Sequence, residues 1–368
     1  MKKSGVRLGM ALLAILAVML AACGKETVFL PHDSAAIAIM DMSGRQVVVP
    51  REVKKVFATT NICSLLVYTI DPAKLAGINN RPTAGEKKYA GANYTKLPIL
   101  GNIGQGNQAN NEKILHISPD LIVTALTTDT DKETVMAAAD QLQSQLGIPV
   151  VVIDGRLEKM AGTYEFLGSL LGEEERGREL GTYCDRKIAW ITRLVSGIPA
   201  DRRVRVYYAL GSAGLATAPA GSRHTEVLDL VNGLNVAAVK LGPETGQAMV
   251  SLEQVLLWNP DIIIAGNEKG SEKSGGFADY ARNNEDWQNV RAVKTGQVYE
   301  IPNSPYNWFD RPPSVNRVIG IIWLANLLYP DVVQVDMVAE TKEFYDKFYH
   351  YQLTDQEARE LLAPSTRK

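Results

Sequence analysis

Three aromatic side chains and an arginine crowd into one short stretch, Pro305-Tyr306-Asn307-Trp308-Phe309-Asp310-Arg311-Pro312-Pro313-Ser314. Flat aromatic faces offer apolar area to a ligand, and a guanidinium can hold a carboxylate or an oxyanion through two parallel N–H bonds. Prolines stiffen the backbone around them. The stretch therefore reads in two ways. It is a ligand-binding loop with Tyr306, Trp308 and Arg311 as contacts, or a rigid packing loop whose Asp310 and Arg311 pair with each other. In the first half of the chain, Asn79-Asn80-Arg81-Pro82 and the segment Lys87 to Tyr94 have loop-like compositions. They could supply Arg81 and Tyr89 to the same ligand.

Other chemistry is sparse. The four histidines, His32, His116, His224 and His350, stand at no metal-ligand spacing, and no Cys-x-x-Cys occurs, so no protein-built metal site is expected. Neither a Gly-x-Ser-x-Gly elbow nor a distinctive acid pair is present, so no catalytic residue and no cofactor are expected. The Gly/Asn-rich stretch from Gly101 to Asn110 lacks the Gly-Lys-Ser/Thr of a phosphate loop and reads as a connection. With 39 Lys and Arg against 41 Asp and Glu, the net charge of −2 gives no electrostatic reason to bind nucleic acid.

The elements that must position these residues are visible as a repeat. Glu112 opens an amphipathic turn or two, followed by Pro119-Asp120 and the apolar run Leu-Ile-Val. Glu253 opens a similar segment, followed by Pro260-Asp261 and Ile-Ile-Ile. In each, Pro-Asp stops a helix, and the short apolar run that follows suits a strand buried on both faces of a parallel sheet. Between the two lies Glu173 to Ser196. Three acids open it, and Leu180, Cys184, Ile188, Ile191 and Val195 form one helical stripe before Gly197 and Pro199 stop it. Such a rod is roughly 35 Å long. The expected fold is α/β: two lobes, each a mainly parallel sheet flanked by helices, joined by one long helix. A single large sheet is the alternative.

Along the first lobe, strands are expected at Val53–Thr59, Lys74–Ile78, Asp120–Ala125 and Val150–Ile153, after a hairpin turning at Gly44. Along the second they fall at Arg205–Leu210, Ile262–Ala265 and Val298–Ile301, with Ser222 capping a helix near Thr225–Asn232. Val315–Leu328 reads as a core helix, and Thr354–Leu362 opens like a capped one.

The start of the chain is a targeting segment rather than fold. Lys2, Lys3 and Arg7 precede a short apolar core, Met10 to Met19, and then Leu20-Ala21-Ala22-Cys23. That ending resembles the cleavage box of bacterial lipoproteins, which implies a signal peptide over 1–22, lipid on Cys23 and a tether over 23–40; a plain secretory signal or an uncleaved anchor is the alternative. The remaining boundaries fall at 41–160 for the first lobe, 161–197 for the linking helices and 203–368 for the second lobe with a helical tail. Cys63 and Cys184 form one disulfide or remain two buried thiols.

Taken together, several motifs resemble the periplasmic binding proteins of ABC importers for ferric siderophores, haem and cobalamin. They are Asp41-x-x-Gly-Arg-x-Val-x-Val-Pro, Glu112 through Pro119-Asp120, and Trp287-x-x-Val-x-Ala-Val-Lys-x-Gly-Gln-Val-Tyr. The resemblance spans about residues 41 to 330. It implies a ligand held between the lobes, little hinge motion, and docking of Glu112 and Glu253 onto arginines of the permease. It also implies a monomeric, lipid-anchored receptor outside the cytoplasm, whose ligand is an iron chelate, haem or a corrinoid. An oxyanion such as molybdate or tungstate is the alternative ligand, and a lipid-anchored hydrolase is the competing class. The chain departs from the family at Asn232-Gly-Leu-Asn, where Gly-Gly-x-Asn is usual, and in the polar loop from Gly101 to Asn111.

Overall fold

A computed structural model describes residues 35–103, 108–128, 130–240, 247–266 and 276–365. Cys23, the signal segment and residues 24–34 of the expected tether lie outside the described residues, while residues 36–40, also expected as tether, form the first strand of the fold.

The first lobe opens with an antiparallel hairpin, β1 (Ala36–Met40) and β2 (Gln46–Pro50), turning at Gly44 with φ +87°. Asp41 explains the motif around it. Its Oδ1 accepts from the Ser43 and Arg45 N–H groups at 3.0 and 2.9 Å, and its Oδ2 pairs with Arg45 Nη1 at 3.0 Å. Oδ2 also accepts from Val152 N at 3.1 Å, which fastens the hairpin to the sheet behind it. That sheet is β3 (Val56–Ala58), β4 (Leu121–Leu126) and β5 (Val150–Asp154), all parallel in the order β3-β4-β5. β5 is buried on both faces, as its apolar run requires.

The second lobe carries β6 (Arg205–Ala209), β7 (Ala216–Thr217), β8 (Leu234–Asn235), β9 (Ala248–Met249), β10 (Ile262–Ala265) and β11 (Val298–Glu300). Four of these form a parallel sheet in the order β11-β10-β6-β8, while β7 and β9 pair separately. The Glu-to-Pro-Asp repeat is the same piece of structure in both lobes. Asn110 and Ser251 cap the two shoulder helices, Asn111–Ile117 and Leu252–Trp258, by accepting from the Lys113 and Gln254 N–H groups. Both helices end on a left-handed residue, Ser118 (φ 51°) or Asn259 (φ 44°). The aspartate after each proline then pins the start of the neighbouring strand: Asp120 Oδ2 accepts from Lys55 N at 2.8 Å, and Asp261 Oδ2 from Arg205 N at 3.1 Å.

One helix, Glu174–Val195, crosses between the lobes, and its 22 residues span roughly 33 Å. It packs antiparallel on the helix Met160–Leu171, where Gly168 and Gly177 meet so closely that a Cβ on Gly168 would lie 2.7 Å from the Gly177 Cα. The linking helix also touches the apolar helix Asn316–Leu328 of the second lobe. A single core runs from Val56, Leu66 and Tyr164 through Leu180 and Ile191 to Ile319 and Phe344. Because that core is shared, relative movement of the lobes would expose buried apolar area.

Several expectations need correction. The segment Lys74–Ile78 is not a strand: a 3-10 turn, Pro72–Lys74, capped by Asp71, leaves only isolated bridges at Leu75 and Ile78. Ser222 does not cap the helix Glu226–Leu230, because its hydroxyl donates back to the Pro219 carbonyl. Cys63 and Cys184 are two separate buried thiols rather than a disulfide. Asn232 stands where the family has glycine because the position is left-handed (φ 58°), which asparagine tolerates. Its Nδ2 donates to the Val195 and Ile198 carbonyls at 3.2 Å each, tying this turn to the end of the linking helix.

Candidate functional site

A cavity of about 670 Å³ opens between the lobes, outside the carboxyl ends of β3 and β11. Its first-lobe wall is polar. Asn61 begins the helix that follows β3, and its Oδ1 accepts from Asn80 Nδ2 at 3.1 Å. Asn79, immediately before, is turned inwards and pins the loop, donating to the Ala58 and Gly101 carbonyls at 2.8 and 2.9 Å. Arg81 follows, exposed at the cavity edge.

Thr83 and Glu86 then form a capping box. Thr83 N donates to Glu86 Oε2 at 2.8 Å, and Glu86 N to Thr83 Oγ1 at 3.2 Å. The other oxygen of Glu86 is shared across the lobes. Oε1 accepts from the Tyr94 hydroxyl at 3.1 Å and from the Tyr306 hydroxyl of the second lobe. Burial pushes both phenols far above their ordinary range, and the nearby carboxylate adds to this, so they stay protonated donors. Gly85 allows the close approach: a Cβ there would lie 2.5 Å from Ser304 Oγ and 3.0 Å from Pro305 Cα.

The second-lobe wall comes from the loop between β11 and the helix Asn316–Leu328, which contains cis peptides at Ser304-Pro305 and Arg311-Pro312. Asn307 Oδ1 accepts from the Phe309 and Asp310 N–H groups at 2.7 and 3.1 Å, folding the loop on itself. Asp310 is fully buried, taking the Tyr208 hydroxyl at 2.5 Å and His224 Nδ1 at 2.6 Å, with Arg311 Nε 3.6 Å away. Arg317 fastens the lobes below this loop. It donates to the Gly155 carbonyl of the first lobe at 2.7 Å and pairs with Glu226, whose Oε2 also accepts from Leu157 N at 3.1 Å.

The structure gathers some of the expected ligand contacts and separates others. Arg81, Tyr306 and Arg311 line one cavity. Trp308 does not: it is fully buried, and its carbonyl lies so close to Gly320 that no side chain fits there. The helix Asn316–Leu328 is apolar on nearly every side and takes this loop as its cover, which draws Trp308 and Phe309 inwards. Tyr89 is also core, packed edge-to-face against Tyr345 and Tyr351 with centroids 5.1 and 5.0 Å away. In the aromatic loop Trp308 and Phe309 are packing, as the second reading expects, while Tyr306, Arg311 and Pro312 line the cavity. Glu86 was not singled out by its sequence, although the Thr83-x-x-Glu86 spacing of a capping box was there to find. Glu112 and Glu253 are exposed in the first turns of the two shoulder helices, away from this cavity.

Two α/β lobes, one long linking helix and a polar cavity at the carboxyl ends of the strands define a cleft-type solute receptor. The chain belongs to the periplasmic binding protein family, whose model matches residues 66–305. It is 26% identical over 341 residues to the molybdate-binding protein MolA of Haemophilus influenzae, covering 84% of this chain and 90% of that one. The iron(3+)-hydroxamate-binding protein FhuD of Bacillus subtilis is 24% identical over 227 residues, or 60% and 66% of the two chains. Among solved structures, an ABC transporter solute binding protein from Sulfurospirillum deleyianum superposes with a TM-score of 0.80 at 28% identity, covering 89% of this chain and 99% of that one. The vitamin B12 binding protein BtuF of Vibrio cholerae shares the fold, with a TM-score of 0.57 at 20% identity over 78% of this chain and all of that one. The chain is therefore a solute-binding protein of an ABC transporter, working outside the cytoplasm. It takes a small ligand to a permease and is not an enzyme.

Proposed function

We propose that the solute is an anionic, oxygen-rich metal chelate of the ferric-siderophore kind, held between Arg81 of the first lobe and Arg311 of the second. The observation that carries this reading is the composition of the cavity: two guanidiniums from opposite lobes, amides and hydroxyls between them, and Tyr306 as its aromatic wall. Guanidiniums and amides suit carboxylate or metal-bound oxygen, whereas haem or a corrinoid needs broad apolar faces. Trp308 and Phe309 are buried and offer none. The relatives that bind iron(3+)-hydroxamate and Fe(3+)-citrate support the same choice.

An oxyanion is the second reading, favoured by the 26% identity to a molybdate-binding protein over most of the chain. Size weighs against it. Four oxygens fill about the space of four waters, roughly 120 Å³, while the cavity holds about 670 Å³. Calorimetric titration with ferric hydroxamate, ferric citrate, molybdate, tungstate, haem and cobalamin decides between them. Tight binding of haem or cobalamin alone would overturn the reading.

Delivery runs through Glu112 and Glu253, one exposed acid on the equivalent helix of each lobe, set to meet basic side chains of the permease. Reversing both charges should leave solute affinity intact and stop transport. Lipid on Cys23 holds the receptor at the membrane as a monomer; Cys23→Ala should lose labelling by a fatty-acid probe, and persistent labelling would refute the anchor.

A further inference from the structure

Exposed apolar side chains are few and unevenly placed. Among the described residues eight large hydrophobic side chains are exposed, and four of them lie on or beside the two shoulder helices: Leu115, Met249, Leu256 and Leu257. Having three of the four on two seven-residue helices, with Met249 on the strand before one of them, is more than scattered surface exposure would give. Leu115 stands one turn beyond Glu112, and Leu256 and Leu257 one turn beyond Glu253, so each acid has a leucine beside it on the helix surface. Met249 ends β9 just before the Ser251 cap.

The inward positions correspond as well. Ile114 and Val255, each two residues after its glutamate, are both fully buried. The helices have therefore docked their core side and left acid and leucine facing out. Neither Glu112 nor Glu253 makes an ion pair among the described residues, and amide and hydroxyl bonds at the helix start hold the Glu253 carboxyl below its usual range. The shoulders are unequal. Where the second lobe has Leu257, 79% exposed, with Met249 at 77% nearby, the first lobe has His116 beside a Leu115 that is 47% exposed.

We propose that these side chains form apolar collars around the two acids and seat against the outer face of the ABC permease, with the second-lobe collar the stronger anchor. The proposal rests on the reading that Glu112 and Glu253 face the permease. Opposite charge steers the encounter and sets the register, so the acids govern the on-rate. Burial of leucine and methionine needs no partner charge and lengthens the stay, so the collars govern the off-rate.

The test measures binding of the mature chain to its cognate importer in lipid nanodiscs by biolayer interferometry, with solute affinity checked by calorimetry. The double variant Met249→Ala, Leu257→Ala should bind the importer about tenfold or more weakly, mainly through a faster off-rate. Leu115→Ala should cost roughly threefold, and both should keep wild-type solute affinity. If the collar variants dock like wild type while Glu112→Ala and Glu253→Ala weaken docking, the collars are refuted and the acids stand. If neither set weakens docking, both readings fall. If light scattering shows the wild-type chain to be a dimer that Leu257→Ala dissociates, the collar is an interface between copies and the proposal is overturned.

Discussion

The two walls of the cavity are built on opposite principles. The second-lobe wall, Asn303 to Pro312, is a loop that buries Trp308, Phe309 and Asp310 and turns only Tyr306 and Arg311 of its large side chains to the cavity. The first-lobe wall, Asn79 to Glu86, is held by short polar links, a capping box and a carboxylate shared with the opposite lobe. One wall uses packing to fix a single guanidinium, and the other uses hydrogen bonds to present several polar groups. Substitutions in the first should therefore cost stability, and those in the second should alter ligand choice.

The largest expected effect breaks the packed wall. Trp308→Ala removes a fully buried indole and should destabilise the chain by ~3–5 kcal/mol in urea unfolding, with little dependence on which ligand is present. A mild loss combined with a large affinity change for one ligand would mean that the ring serves the site instead. Next comes the charged edge of the cavity. Arg311→Ala and Arg81→Ala should each weaken solute binding by ~1.5–3 kcal/mol, about ten- to a hundred-and-fiftyfold. Only Arg81→Ala should leave the unfolding midpoint nearly unchanged, because Arg311 also stands 3.6 Å from the buried Asp310. Smaller still is Tyr306→Phe, which leaves Glu86 Oε1 with Tyr94 alone and should cost about 1 kcal/mol of stability.

The smallest effect sits behind the first-lobe wall, where Lys88 of the capped helix pairs with Glu357 at 3.0 Å. The Glu357 carboxyl is held down at about 2, chiefly by the Thr354 N–H and then by Lys88. A depressed carboxyl stabilises the fold above its ordinary value near 4.3, and that contribution fades as the pH falls towards 2. Glu357→Gln should thus lower the melting temperature by about 1–2 °C at pH 7, because the pair is partly exposed, and match wild type near pH 2. Thiol chemistry gives an independent check of the shared core. Burial pushes the Cys63 thiol up to about 11 and Cys184 higher still. A Cys23→Ala chain should give no reaction with a thiol reagent at pH 8 when native and two thiols when denatured.

The contrast between the walls also explains what was legible in the sequence. The linking helix, the parallel strands and the repeated Glu-to-Pro-Asp units were readable because their patterns are local: a helical stripe, an apolar run, a proline stop. The hairpin at Gly44 was local too. Trp308 was misread because its burial is set by a helix that begins eight residues later and must be covered on nearly every side. Tyr89 was misread because its partners lie far along the chain, Tyr345 in the helix Met337–Tyr349 and Tyr351 in the connection after it. Glu86 escaped notice although its capping box is local, since its bond to Tyr306 joins residues 220 apart. Long-range pairing of this kind leaves no periodic trace.

The central claim is that Arg81 and Arg311, which line one cavity from opposite lobes, hold an anionic, oxygen-rich solute. Calorimetry on wild type, Arg81→Ala, Arg311→Ala and the double variant, titrated with ferric hydroxamate, ferric citrate and molybdate, tests it most directly. The account predicts that a ferric chelate binds wild type most tightly, that each single variant loses ~10-fold or more, and that the double variant loses more than either. Wild-type affinity retained in the double variant, for whichever solute binds, would place the ligand elsewhere and contradict the account.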